Sequence, residues 1–262
     1  MLILLPPSEG KTTARRGKPL DLDALSFPEL SAARRKMLSS LVTLCSGDPE
    51  SARTTLGLPP GLADEVARNA ALESAPTTEA RRVYSGVLYD ALGFDSLTPA
   101  ASRRAASRVL MTSSVFGLLR PTDRIPAYRL SGHVTLPDVG TVASVWRDVL
   151  GDVLAPAAAR RLIVDLRSGT YVGFWRPPRE IAHRVVTVRV LHEVAGRRSV
   201  VSHFNKATKG RLVRDVLEDG RDARTPAGFA DLLSSLGWRI EPTPVAGGRD
   251  KPSSYDVIVS YL

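Results

Sequence analysis

Six short apolar, β-branched runs punctuate the chain: residues 1–5, Val109-Leu-Met-Thr112, Leu162-Ile-Val-Asp-Leu166, Val185–Leu191, Ser199–Phe204 and Tyr255–Tyr261. Runs of this length and composition predict buried or half-buried strands. The first stops at Pro6-Pro7. From Glu29 to about Ala71 the pattern is helical, with Leu38, Leu41, Val42 and Cys45 recurring at i, i+3, i+4 and i+7. Pro28 opens that region two residues after Ser26, which reads as its N-cap. Further helices are predicted over Thr78–Leu92, Pro99–Ser107, 141–154, 206–219 and 226–236, with loops at 14–20 and 243–254. Strands and helices alternate without a strict βαβ beat. The expected fold is therefore α/β, a mixed sheet flanked by helices, in one domain over 1–262 whose N-terminal part, about 26–107, is mainly helical.

Composition narrows the class. With 262 residues, 43% hydrophobic and 24% charged, the chain can bury a real core. No apolar run approaches the roughly 20 residues of a membrane span. The opening apolar run is five residues long and has no basic segment before it, so a strand and not a secretion signal is expected. A single Cys45 excludes an internal disulfide, and four scattered His argue against a structural zinc site. The expectation is a cytoplasmic protein without metal or cofactor.

The formal net charge of +9 calls for an acidic partner. Arg supplies 30 of the 36 basic residues and Lys six, an excess that a GC-rich genome would also produce. Placement must decide. In Leu5-Pro-Pro-Ser-Glu-Gly-Lys-Thr12 the Gly-Lys-Thr suggests a phosphate loop, but Leu5 stands where the motif needs Gly, and two prolines remove backbone donors. What remains is a turn at a strand end that either presents Ser8, Glu9 and Lys11 to a cleft or is simply solvated.

In the segment 115–130, Pro121 and Pro126 bracket Arg120, Arg124 and Arg129 beside Tyr128. A stiffened loop loses less entropy when it clamps an anion, and Arg suits bidentate phosphate contacts. Tyr128 could stack a base. In the segment 200–214 a strand is expected to run into a helix whose first turn carries Lys206, Lys209 and Arg211, where the dipole disfavours cations and would lower the lysines' pKa unless an anion offsets it. Asp165, inside an apolar run, is either a paired structural carboxylate or a site residue. Residues 56–67 place Pro-Pro-Gly between helical stretches, which fits either a phosphate-gripping hairpin or a plain helical corner.

Met1-Leu-Ile-Leu4 with Pro7 and Lys11, Gly86-Val-Leu-Tyr89, Phe116-Gly-Leu-Leu-Arg-Pro-Thr-Asp123, Pro126-Ala-Tyr-Arg-Leu130, Trp146, Ile163–Leu166 with Ser168 and Tyr171, and Lys206 with Lys209-Gly-Arg211 form an ordered series over nearly the whole chain. It resembles the YaaA family of peroxide-stress proteins, and the Gly-Leu-Leu-Arg-Pro…Pro-Ala-Tyr-Arg-Leu block is its most specific part. The resemblance implies a family-specific α/β fold with a positively charged cleft, DNA binding through a helix-hairpin-helix element, and a role in limiting oxidative damage. The N-terminal turn departs from the family's commoner Ser-Pro-Ala-Lys form.

Two functions follow. One is DNA binding of low sequence specificity, with Lys11, Arg120, Arg124, Tyr128, Arg129, Lys206, Lys209 and Arg211 as the binding set. The other is an enzyme acting on a base, nucleotide or other phosphorylated small molecule in the same cleft, with Lys206, Lys209, Asp165 and Glu9 as candidates.

Overall fold

The structure is a computed structural model that describes residues 1–200, 202–243 and 251–260. Its centre is an eight-stranded sheet built from β1 (Leu2–Leu5), β2 (Val109–Ser113), β3 (Gly117–Leu119), β4 (Ile163–Asp165), β5 (Val185–Val194), β6 (Arg197–Ser199), β7 (Arg239–Pro242) and β8 (Ser253–Val259). The order is β7-β8-β5-β4-β1-β2-β3, with β6 paired to β5. Strands β8, β5, β4, β1 and β2 run parallel, while β3, β6 and β7 are antiparallel additions. This is the mixed α/β sheet expected from the sequence. Every residue of β1, β2 and β4 is buried, as parallel strands covered on both faces require.

The helices are α1 (Ser31–Ser46), α2 (Pro49–Thr55), α3 (Asp64–Ala70), α4 (Val87–Leu92), α5 (Pro99–Arg108), α6 (Val142–Arg160), α7 (Ser202–Asp219) and α8 (Pro226–Ser235), besides two single turns at Ala80–Val83 and Arg179–Ala182. Three begin on the same device, a capping side chain followed by Pro. Asp48, Thr98 and Thr225 accept from the backbone N–H of Ser51, Ala101 and Gly228 at 2.7, 3.3 and 3.1 Å. Each such cap is worth about 1 kcal/mol. None of the described helices is long and apolar enough to cross a membrane.

Three expectations change. The run Ser199–Phe204 is not a strand: β6 ends at Ser199 and α7 has begun by Ser202, while Val201 lies outside the described residues. A β-branched pair next to Ser and His carries too little period to separate a strand end from a helix start. The helix over Thr78–Leu92 is broken. Thr78–Glu79 pairs with Arg124–Ile125, and Gly86 at φ 96° turns the chain into α4. Ser26 does not cap: its hydroxyl donates to Asp123 Oδ1 at 2.8 Å, and Phe27, in the left-handed region at φ 64°, starts the 3-10 turn Pro28–Leu30. Of the predicted loop 243–254, residues 244–250 lie outside the described residues, as does Tyr261 of the last strand.

Arg34, fully buried on α1, fixes the sheet's β3 edge. Its guanidinium donates to the carbonyls of Phe116 at 3.0 Å, Leu118 at 2.8 Å, Ser26 at 2.7 Å and Phe27 at 3.2 Å. Near α4, Gly210 of α7 lets two backbones meet, because a Cβ there would lie 2.2 Å from the Leu88 carbonyl.

Candidate functional site at the β1–β4 crevice

From β1 the chain moves to β2 and β3 on one side, then returns to β4 on the other side of β1. Such a reversal opens a crevice beyond the carboxyl ends of the two strands, where doubly wound sheets take ligands. Here the crevice is a cleft of about 440 Å³. Residues 6–10 after β1 form one wall and 168–171 after β4 another, with segment 85–89, Ser131 and Lys206 completing it. Lys206 and Glu9 are the charged side chains of this lining.

The first wall is tied down at Pro6, Ser8, Glu9 and Gly10. Tyr89 Oη donates to the Pro6 carbonyl at 2.6 Å, and Ser8 Oγ donates to the Gly10 carbonyl at 2.6 Å while accepting from Ser85 N at 3.2 Å. Glu9 is held by Arg129, which donates to its carbonyl at 3.0 Å and pairs with its carboxylate at 3.1 Å. Arg129 is itself placed by Asn69, whose amide bonds the Arg129 N–H at 2.9 Å and carbonyl at 2.7 Å.

Lys11 closes this turn from beneath. Its Nζ donates to the Ser8 carbonyl at 2.8 Å and stands 4.3 Å from the Tyr128 ring centroid and 5.6 Å from that of Tyr84. Lys11 as a whole is half-buried. Burial pushes its pKa down to about 8, against the opposing attraction of Glu9. The two tyrosine hydroxyls are 2.9 Å apart, and that of Tyr128 lies 2.8 Å from Ser113 Oγ.

The second wall hangs on Arg167. Its Nε and Nη2 meet Asp165 at 2.9 and 2.7 Å, and the same guanidinium donates to the carbonyls of Tyr171 at 2.9 Å and Trp175 at 2.8 Å. Asp165 is thus a buried, paired structural carboxylate. Lys209, also buried, donates from Nζ to the Leu166 carbonyl at 3.0 Å, and burial lowers its pKa against the pull of Asp165.

The predicted residues therefore scatter. With α7 starting by Ser202, Lys206 falls in its second turn and Lys209 in its third, so the first-turn dipole argument does not apply to them. Lys206 is exposed in the cleft lining, Lys209 is buried behind it, and Arg211 is exposed further along α7. The arginines of segment 115–130 are engaged by the protein. Arg120 donates to the carbonyls of Ala106 at 3.2 Å and Ser107 at 2.9 Å, closing the end of α5, and stacks on Phe27 at 5.4 Å. Arg124 donates to the Thr77 carbonyl at 2.7 Å. Tyr128 is buried. Pro59, Pro60 and Gly61 join α2 to α3 through a 3-10 turn (Pro60–Leu62). Just before it, Leu56–Leu58 border a smaller recess of about 140 Å³ that shares Glu9 and Ser131 with the main cleft.

Ser85, Ser131 and Arg167 escaped the reading of individual residues. Ser85 directly precedes the Gly86-Val-Leu-Tyr89 block, Ser131 follows the Pro126–Leu130 block, and Arg167 stands between Leu166 and Ser168 of a third. The signal was the edges of the blocks that carry the family resemblance.

Comparison with known proteins places these features in a family. A UPF0246 protein of Streptomyces coelicolor is 50% identical over 260 residues, covering 99% of this chain and 98% of that one. Another from Corynebacterium efficiens is 45% identical over 246 residues, 92% of this chain and 95% of its own. A third, from Corynebacterium glutamicum, is 39% identical over 249 residues, 93% and 96% of the two chains. The family model described as peroxide stress protein YaaA matches residues 1–243, and the chain belongs to that family.

Proposed function

We propose that the protein serves the peroxide-stress response by binding DNA and seating one phosphate-bearing nucleotide unit in the β1–β4 cleft. The lining of the cleft carries this reading. Ser8, Ser85, Ser131, Ser168, Thr170, Tyr171 and Lys206 line about 440 Å³. Hydroxyls and turn amides suit sugar and phosphate oxygens, and a lysine supplies a point charge for phosphate. The volume lies in the range of roughly 300–1,000 Å³ typical of small-ligand sites, so it accepts one nucleotide and not a duplex. DNA would present that unit from a single strand or by extrusion from the stack. The net charge of +9 supports a polyanion held without sequence preference. The family's peroxide-stress description supports a part in limiting oxidative damage to DNA.

The size of the cleft also favours a second reading, an enzyme working on a free nucleotide in the same cleft. Displacement of a labelled single-stranded oligonucleotide, followed by fluorescence anisotropy, separates the two. The expected result is binding that a nucleoside monophosphate displaces and that Lys206→Ala weakens. Monophosphate binding without DNA binding would leave the free-nucleotide reading. DNA binding that the monophosphate cannot displace would remove the cleft from the proposal.

A further inference from the structure

We propose that Lys11 condenses with an aldehyde carried by the ligand of the adjoining cleft and holds it as an imine. This rests on the nucleotide reading and narrows it to units whose sugar is an aldehyde, as at an abasic position. Three observations single out Lys11. Its amine faces the π surfaces of Tyr128 and Tyr84 at 4.3 and 5.6 Å from their centroids. It donates to the carbonyl of Ser8, a residue of the cleft wall, at 2.8 Å. Glu9, the acidic neighbour that draws it towards the charged form, is itself paired with Arg129.

The charges around the amine are Glu9, Arg129, Glu65 and Arg68, and burial outweighs them all, giving a pKa of about 8. A substantial neutral fraction is thus present near neutral pH, as nucleophilic attack on a carbonyl requires. Lys209 is also buried, but it lies behind the Leu166 carbonyl with Asp165 drawing it towards the charged form. Lys206 is exposed.

The chemistry balances without a co-reactant. The amine lone pair attacks the carbonyl carbon, a C–N bond forms, and the carbonyl oxygen takes a proton from solvent. The carbinolamine, protonated on nitrogen, then loses its hydroxyl together with one N–H proton as water while the C=N bond forms. The resulting iminium is a cation in the place of the ammonium, and the same ring faces stabilise it. Hydrolysis reverses the step and frees the amine.

The test uses the full chain with cyanoborohydride, which reduces an imine to a stable secondary amine. Three probes are needed: an oligonucleotide with an aldehydic abasic site, the same oligonucleotide with a tetrahydrofuran analogue that has no aldehyde, and glyceraldehyde 3-phosphate. Expected are adducts with both aldehydes, mapped to Lys11 by peptide mass spectrometry. The adduct should fall at least tenfold in Lys11→Arg and persist in Lys18→Ala, an exposed lysine outside the cleft lining. Its initial rate should rise about tenfold per pH unit below about 8. Adducts at Lys206, Lys209 or the Met1 amine in place of Lys11 would overturn the inference. So would binding of the tetrahydrofuran oligonucleotide with no adduct from either aldehyde, an outcome that leaves the proposed function standing. If neither oligonucleotide binds, the proposed function fails, while glyceraldehyde 3-phosphate still decides the role of Lys11.

Discussion

Tyr84 and Tyr128 share a hydrogen bond of 2.9 Å between their hydroxyls, and Tyr128 extends it to Ser113 Oγ at 2.8 Å. The bond joins the segment after Ala80–Val83 to the one after Arg124–Ile125, directly below Lys11. Tyr128→Phe keeps the ring under the amine but strips partners from Tyr84 and Ser113. The expected loss is about 1–3 kcal/mol in urea unfolding, with the Lys11 labelling rate unchanged. Tyr128→Leu should lose stability and alter the labelling rate as well.

Stability should depend on pH in a way set by the buried amines and phenols. Lys11 has a folded pKa of about 8 against 10.5 when unfolded, so between those values the unfolded state binds more protons and stability rises with pH. Lys209, lowered from 10.5, acts in the same direction, and the Met1 amine, lowered from 8.0, does so at lower pH. Tyr84, Tyr89 and Tyr128 are all raised above 10.0 by burial, so above that pH the unfolded state loses protons first and stability falls. Urea midpoints should therefore peak near pH 10, and Lys11→Met should flatten the rise from pH 8. A midpoint that falls steadily from pH 7 to 10 would contradict the burial of these amines.

Arg167→Ala should be among the most damaging single changes. It leaves Asp165 buried and unpaired, which costs about 3–5 kcal/mol, and it releases the turn Gly169–Phe174 that forms one wall of the cleft. Arg167→Lys should rescue little, because an ammonium cannot make the fork to Asp165 while reaching two carbonyls. Replacing the pair together, Asp165→Leu with Arg167→Met, should recover part of the stability but not nucleotide binding. Denaturation and anisotropy measured on the same samples separate the two effects.

Salt dependence tells cleft contact from general attraction. Lys206→Ala should reduce the slope of log K against log[salt] for single-stranded DNA by about 0.7, the share of one phosphate. Arg120→Ala should leave the slope alone and lower stability instead, because its guanidinium closes the end of α5. Equal slope changes in both variants would mean that net charge alone governs binding.

Periodicity and composition located β1, β2, β4, β5 and β8 and most of the helices, because buried parallel strands read as unbroken apolar runs. Site residues were harder. Arg120, Arg124 and Arg129 look free in a sequence, yet in the structure their guanidiniums answer backbone carbonyls that no residue type announces. Lys11 was visible as the lysine of a strand-end turn, but the rings that enclose its amine come from positions 84 and 128. Such an environment depends on which distant segments the sheet brings together, and sequence spacing does not carry that information.

Strand β1 pairs on one side with residues 109–111 and on the other with 163–165. During synthesis its four apolar residues emerge long before either neighbour exists. At roughly 5–20 residues per second, this segment waits many seconds without a partner on either edge. The strand whose end forms the cleft is thus also the one most exposed to capture by chaperones or to aggregation, and the emergence of Lys206 fixes the earliest moment at which the whole cleft can exist.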